Sequence, residues 1–353
     1  MAKRRYLEML LVGIIAKALE AVASNSQQGT LCKIAALDGS APPINNCHVD
    51  IEFQYSVVWL TRIRLDDPQL PPRPVQDYIF LSEVAKLQFL EDTKVLAPHI
   101  YAYALKSTPE YQVGTSFILM EKRAGKPLDW SQTTMEQRTR AMDQLADIFL
   151  ELEKYPFSRT GFLILSSGLS LQVNVGGFAQ VACFKTPRQT LCSFDTLEAA
   201  YSAIIDRQIW LLATNEVSSL RLENYLSFLW RLQGLPELIA KSASRTSPFH
   251  LKHFDGEKGD HILVDGNHNI ATIIDWCDKG WSSIYFNNFQ WPVCDFHRGS
   301  NRLTKEELRF DLANIVRGSH QWQRYLLSLG ADFPRDMSEF EPLVEGLRET
   351  FSK

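Results

Sequence analysis

Apolar and polar residues alternate in short runs over the first third of the chain and recur at three- and four-residue steps over much of the remainder. Val49 to Phe53 and Ser56 to Arg64 are rich in Val, Ile, Phe and Trp and are separated by Gln54-Tyr55, a pattern that predicts a β-hairpin or consecutive antiparallel strands. After a proline-rich loop from Pro68 to Pro74, the residues Ile79, Phe80, Val84, Leu87 and Leu90 lie near helical spacing and predict a helix from Asp77 to Leu90. Val95 to Tyr103, with Pro98 inside it, predicts a loop leading into a further strand, and Ser116 to Glu121 predicts a buried strand. Gly125-Lys126-Pro127 breaks the chain immediately afterwards. The break predicts two lobes, residues 1–124 and 125–353.

Beyond the break the pattern is mainly helical. Thr133 and Glu136 predict a capping box that opens a helix ending near Glu153, with Met142, Leu145, Ile148, Phe149 and Leu152 on one face. The turn-rich segment from Ser158 to Thr190 predicts irregular hairpins, Leu197 to Leu212 and Leu220 to Leu232 predict helices, and Thr304 with Glu307 predicts a second capping box. At the N-terminus two patterns compete. Lys3, Arg4 and Arg5 before an apolar stretch, followed by Ala21-Val22-Ala23, imitate a secretory signal, whereas Leu7, Leu10, Leu11, Ile14, Ala18 and Val22 form one stripe of an amphipathic helix. Glu8, Lys17 and Glu20 interrupt the stretch and favour the helix.

Composition narrows the class of protein. At 353 residues with 45% hydrophobic side chains, the chain is long enough for about two domains and a large core, which excludes a disordered chain. Its 37 basic and 41 acidic residues give a net charge of −4, so the basic excess that nucleic-acid backbones require is missing and a small-molecule partner is expected. The six cysteines show no Cys-x-x-Cys spacing and predict reduced thiols in a cytoplasmic setting. No apolar run approaches the roughly 20 residues that span a bilayer, so no membrane partner is expected.

The densest chemistry lies between Pro248 and Trp276. A loop holding His253, Asp255, Glu257, Lys258 and Asp260 leads into Ile262-Leu263-Val264; the chain turns at Gly266-Asn267 and returns through Ile270 to Ile274 before Asp275. The two runs predict an antiparallel hairpin whose open end sets Asp260 and His261 against Asp275. Carboxylates gathered in this way repel one another unless a cation or proton intervenes, and they suit Mg²⁺, which takes its remaining ligands from water and substrate phosphates. Asp255, in the loop before the first strand, could accept a proton from an attacking hydroxyl. Together these groups point to phosphoryl transfer; the alternative is an acidic hairpin in which Asp265 and Asp275 serve as turn and cap residues.

This stretch resembles the catalytic segment of the aminoglycoside phosphotransferase and choline kinase-like family of small-molecule kinases, especially its fungal branch. His253-Phe254-Asp255 and Ile274-Asp275-Trp276 stand in place of its His-x-Asp and Ile-Asp-Trp motifs. Trp59 to Arg64, Glu83 to Leu87, Ser116 to Glu121 and Gly125 to Leu128 follow in the family's order, and the resemblance covers roughly residues 38–291. It implies an α+β, protein-kinase-like bilobal fold, with a small N-lobe built on an antiparallel sheet and a larger, mostly helical C-lobe. It also implies an ATP- and Mg²⁺-dependent phosphotransferase that acts on a hydroxyl of a small molecule.

The resemblance further implies roles for individual residues. Asp255 would be the catalytic base, His253 would brace its loop, and Asp275 would ligate Mg²⁺. Glu83 would hold Arg62 against the nucleotide phosphates, and Met120 and Glu121 belong to the segment whose backbone meets the nucleobase. Arg62 replaces the usual lysine; it is always charged and can grip phosphate or carboxylate bidentately. Two departures bear on activity. The metal-binding Asn has no counterpart: counting from Asp255 reaches Asp260, counting back from Ile262 reaches His261, and Asp260 is the better ligand for so hard a cation. The loop expected to cover the phosphates carries Pro42 and Pro43, which donate no N–H, and leaves Gly39, Ser40 and Asn45 as its contacts. A kinase-like protein that binds a ligand or partner without phosphoryl transfer, or a fold turned to another reaction, is therefore the alternative. Asp278, Trp281 and Tyr285, within the aromatic cluster after Asp275, form the expected acceptor pocket; a plain core between helices would show the same composition.

Overall fold

The computed structural model describes residues 14–35, 46–65, 73–108, 113–166, 173–179, 191–213, 248–251, 253, 260–276 and 284–285. Helix α1 (Ile14–Ser26) precedes strands β1 (Cys32–Ile34), β2 (Asn46–Phe53) and β3 (Val58–Arg64). Helix α2 (Arg73–Glu91) then leads to β4 (Ile100–Ala104) and β5 (Phe117–Glu121). The five strands form one antiparallel sheet in the order β1-β2-β3-β5-β4.

Strand alternation divides the apolar residues of this sheet between two faces. Cys47, Val49, Ile51, Phe53, Trp59, Ile63, Phe117 and Leu119 pack on one face together with Leu19, Val22 and Ala23 of α1. Removing side chains such as Leu19 and Val22 from water stabilises the fold by about 1.5–3 kcal/mol each. Ala18 and Val22 of the predicted amphipathic stripe pack here, joined by Leu19 and Ala23, whereas Leu7, Leu10 and Leu11 lie outside the described residues. Glu20 adds a polar tie, its carboxylate accepting the Ile34 N–H at 3.0 Å. Ile118 and Met120 point to the opposite face, where they share a core with Ile79, Phe80, Val84 and Leu87 of α2.

Helix α2 begins four residues earlier than its apolar spacing predicts, because Pro74 lies in the first turn, where no intrahelical N–H bond is required. Its core continues into α3 (Met135–Glu153), the hairpin β7 (Phe162–Leu165) and β8 (Val173–Gly176), and α4 (Leu197–Ala213). The capping box of α3 forms one residue later than predicted. Thr134 caps Gln137 N–H at 3.2 Å while the Gln137 side chain accepts the Thr134 N–H at 2.8 Å. The Thr133 hydroxyl is committed elsewhere, to the Trp130 carbonyl at 2.9 Å.

The hairpin of β10 (Ile262–Val264) and β11 (Ile270–Ile273) forms as its pattern predicts, with Ile262 opposite Ile273 and a register shift at Val264. The predicted chain break is instead a short strand, β6 (Lys126–Pro127), paired with β10. Gly125 makes that approach possible: its φ is +151°, and a Cβ there would lie 2.8 Å from the Leu263 Cβ. His250 and Leu251 form β9, paired with β12 (Ile284–Tyr285). The predicted helix from Leu220 to Leu232 and the Thr304 capping box lie outside the described residues. Among the described residues, no helix is long and apolar enough to cross a membrane.

Candidate functional site

Three elements bring charge together beneath the sheet. In β3, Leu60 and Arg62 alternate away from the α1 face, so Arg62 points toward α2, where Glu83 lies on the buried stripe. Arg62 Nη1 donates to Glu83 Oε1, and the two side chains are only 9% and 3% exposed. The same guanidinium nitrogen lies 3.7 Å from Asp275 Oδ1, a carboxylate that keeps 39% of its side chain open to solvent. A cation shared between a buried and a half-open carboxylate leaves the open one able to take a further cation from solvent.

Asp275 is delivered by the hairpin, which is fastened at both ends. At the turn, Asp265 accepts the N–H groups of Asn267 and Asn269 at 2.8 and 2.9 Å, and these bonds hold its carboxyl below the usual range. From α3, Arg140 donates to the Asn267 carbonyl at 2.7 Å and Gln144 accepts the Ile270 N–H at 2.8 Å. At the open end, the Leu96 carbonyl accepts both the Ile273 N–H and the Thr272 hydroxyl, at 2.8 and 2.9 Å. Ile274 N–H donates to the His261 carbonyl at 2.9 Å, which sets the Asp260-His261 end beside Asp275 as the hairpin pattern predicts. Asp275 itself has φ +61°, a left-handed conformation that Asp adopts more readily than most side chains.

His253 lies under this segment. Its Nε2 is 2.8 Å from the Ile274 carbonyl and must carry the proton there, since a carbonyl only accepts. Its ring stacks on His261 at 4.3 Å and meets Trp276 edge-on at 4.8 Å. Arg62, Glu83 and Asp275 thus converge, with His253 one residue behind them. Asp260 is 67% exposed, with its carboxylate 3.8 Å from the His261 ring. Met120 packs into the α2 core, and Glu121 turns toward Arg123 at 2.8 Å and the His99 N–H at 3.4 Å. Tyr285 contributes backbone to β12, while Asp255, Gly39, Ser40, Asn45, Asp278 and Trp281 lie outside the described residues.

Among the described residues, no group of three His, Cys, Asp or Glu side chains could cage a metal. One or two open carboxylates are nevertheless what Mg²⁺ uses when phosphates and water complete its shell, and Asp275 with Asp260 fits that description.

Two residues at the site escaped the sequence pattern. His48 pairs with Arg62 across β2 and β3; a hairpin pairing Glu52 with Val58 places it there, so the register alone would have revealed it. Lys86 is 1% exposed on α2, and its signal was a charged residue seven positions after Ile79 and four before Leu90, on the buried stripe.

His48 is exposed on β2, yet neighbouring protein atoms partly desolvate its ring. That desolvation, with the Arg62 charge added, lowers its pKa from 6.5, while Asp275 and Glu83 pull it partly back. The folded chain therefore resists protonation at His48 where the unfolded chain accepts it. Stability is full above the unfolded value and falls as pH drops through about 6.5 toward the lowered folded value. Wild type is expected to lose more melting temperature between pH 7 and 5.5 than His48→Gln; identical pH profiles would remove His48 from this balance.

No protein-family model matches the sequence, and no curated protein matches it. Solved structures do. A protein of Thermobifida fusca named as a fructosamine-3-kinase aligns at TM-score 0.51 and 14% identity, covering 97% of this chain and 100% of that one. A protein of Ralstonia eutropha named as an aminoglycoside phosphotransferase aligns at TM-score 0.42 and 14% identity; the match takes in 74% of this chain and spans 64% of that protein's length. An ethanolamine kinase of Plasmodium vivax aligns at TM-score 0.39 and 12% identity, over 90% and 70% of the two chains. The near end-to-end alignment with the Thermobifida protein, together with the β1-β2-β3-β5-β4 sheet, defines an α+β kinase-like fold.

Proposed function

We propose that the protein is an ATP- and Mg²⁺-dependent phosphotransferase that acts on a hydroxyl of a small molecule, in the manner of the aminoglycoside phosphotransferase and choline kinase-like family. The meeting of Arg62, Glu83 and Asp275, from three separate elements of a kinase-like fold, carries this reading. Arg62, held by Glu83, would grip the nucleotide phosphates with its guanidinium fork. Asp275 and Asp260 would hold Mg²⁺, which would neutralise charge on the transferring phosphoryl group. Asp255 would accept the proton of the acceptor hydroxyl as its oxygen bonds to the γ-phosphorus and the bond to ADP breaks. We place the division between the smaller and larger lobes at residues 124 and 125, beside the tight approach of Gly125 to β10.

The alternative reading is ligand binding without phosphoryl transfer, and its ground is the sequence count back from Ile262, which reaches His261 where the count forward from Asp255 reaches Asp260. His261 is 7% exposed and stands immediately before β10. One experiment separates the two readings. Melting of the full chain with ATP, with and without Mg²⁺, should show metal-dependent stabilisation, because a ligand bound only by the folded state raises its apparent stability. ATP turnover should then fall at least about 100-fold in Asp255→Ala. Binding without turnover would favour the second reading, and absence of any metal-dependent stabilisation would sink the first.

A further inference from the structure

Lys86 has no part in the roles just assigned, yet it is 1% exposed, among the most deeply buried side chains of the chain. An amino group in a protein interior is unfavourable unless it is held by polar partners, and an apolar side chain of similar volume would pack α2 against the core more cheaply. The polar end therefore needs its own explanation. Lys86 Nζ donates to the Trp276 carbonyl at 2.8 Å, a contact between residues 190 apart in sequence.

Trp276 follows Asp275 directly. On the other side of Asp275, His253 holds the Ile274 carbonyl at 2.8 Å, and the Trp276 indole N–H donates to the Ile273 carbonyl at 2.9 Å. The carbonyls flanking Asp275 are therefore pinned from outside the hairpin. Such pinning can maintain the φ of +61° at Asp275, a left-handed conformation that side chains other than glycine adopt sparingly without such support. Glu83 and Lys86 lie three residues apart on one helix and hence on neighbouring positions of one face. A displacement of α2 that separated Glu83 from Arg62 would pull on the Trp276 carbonyl as well.

We propose that Lys86 is a positioning residue: by holding the Trp276 carbonyl it fixes the left-handed conformation of Asp275, and so joins the Arg62–Glu83 pair and the metal carboxylate into one unit that moves with α2. This inference rests on the phosphotransferase reading for its functional consequence, but not for its structural one.

The test uses the full chain as wild type, Lys86→Met and Lys86→Gln, with calorimetric titration of ADP in the presence and absence of Mg²⁺. Metal-free ADP affinity should stay within about twofold, whereas the gain conferred by Mg²⁺ should fall about 10- to 100-fold in Lys86→Met, the usual scale for losing a group that orients a metal ligand. Lys86→Gln keeps an N–H donor on a shorter arm and should lose less. A purely structural lysine would lower the melting temperature and leave the Mg²⁺ gain intact, and that result overturns the proposal. Hydrogen exchange over residues 270–276 gives a readout independent of nucleotide. It should quicken at least about tenfold in Lys86→Met while β2 and β3 are unchanged, and unaltered exchange would also overturn the proposal. A wild type without Mg²⁺-dependent ADP binding would refute the phosphotransferase reading, leaving hydrogen exchange to decide the role of Lys86. If Lys86→Met fails to fold, Lys86→Gln carries both measurements.

Discussion

Arg62→Met is expected to destabilise the folded chain by about 3–5 kcal/mol, the cost of leaving a buried charge without its partner. Glu83 is 2% exposed, so its carboxylate cannot recover hydration without displacing α2 from the sheet. The loss should therefore exceed that of an ordinary large-to-small surface change several-fold. Restoring apolar balance with Arg62→Met and Glu83→Leu together should return most of the lost stability, since a well-packed hydrophobic pair often equals or exceeds a buried ion pair. Denaturant melts of the two single variants and the double variant measure the coupling. A double variant no more stable than Arg62→Met would show that the pair is not a self-contained unit. Neither Arg62→Met nor the double variant should retain ATP-dependent stabilisation, because the guanidinium that would meet the phosphates is gone.

Asp275→Asn should behave in the opposite way, removing metal-dependent nucleotide binding with little change in stability. The carboxylate is 39% exposed and 3.7 Å from Arg62, so the pair contributes no more than about 1 kcal/mol after solvent screening. Asn tolerates a left-handed backbone nearly as well as Asp, which keeps φ +61° accessible. Asp275→Gly goes further. It relieves the backbone conformation altogether and should raise stability by up to about 1 kcal/mol while abolishing the Mg²⁺ response. A variant that is stabler and silent to metal is the signature of a residue kept for function at a cost to the fold. An undiminished Mg²⁺ response in Asp275→Asn would remove the residue from the metal site.

Much of the fold was legible because local patterns reported it. The alternation through β2 and β3, the buried run of β5, the helical stripe of α2 and the turn at Gly266-Asn267 each follow from short-range periodicity and turn chemistry, and the structure forms all of them. Where two local solutions were nearly equivalent, pattern alone could not choose. Thr133-x-x-Glu136 and Thr134-x-x-Gln137 both satisfy a capping box, and the choice fell to the competing Thr133–Trp130 hydrogen bond. Gly125-Lys126-Pro127 read as a break because Gly and Pro punctuate chains; only the arrival of β10 from residues 262–264 turned it into a strand.

The site divides along the same line. The sequence by itself determined the residue types on which the phosphotransferase proposal draws and the order in which they follow: a basic strand residue, a helix carboxylate, and an Asp after a hairpin. Those are properties of residue identity and spacing. Tertiary structure alone decided that Arg62 reaches Glu83 and Asp275 together, and that Lys86 spends a buried amino group on the Trp276 carbonyl. These contacts join residues as far as 190 positions apart, and their energies depend on burial and geometry. Neither exists until strand, helix and hairpin have packed.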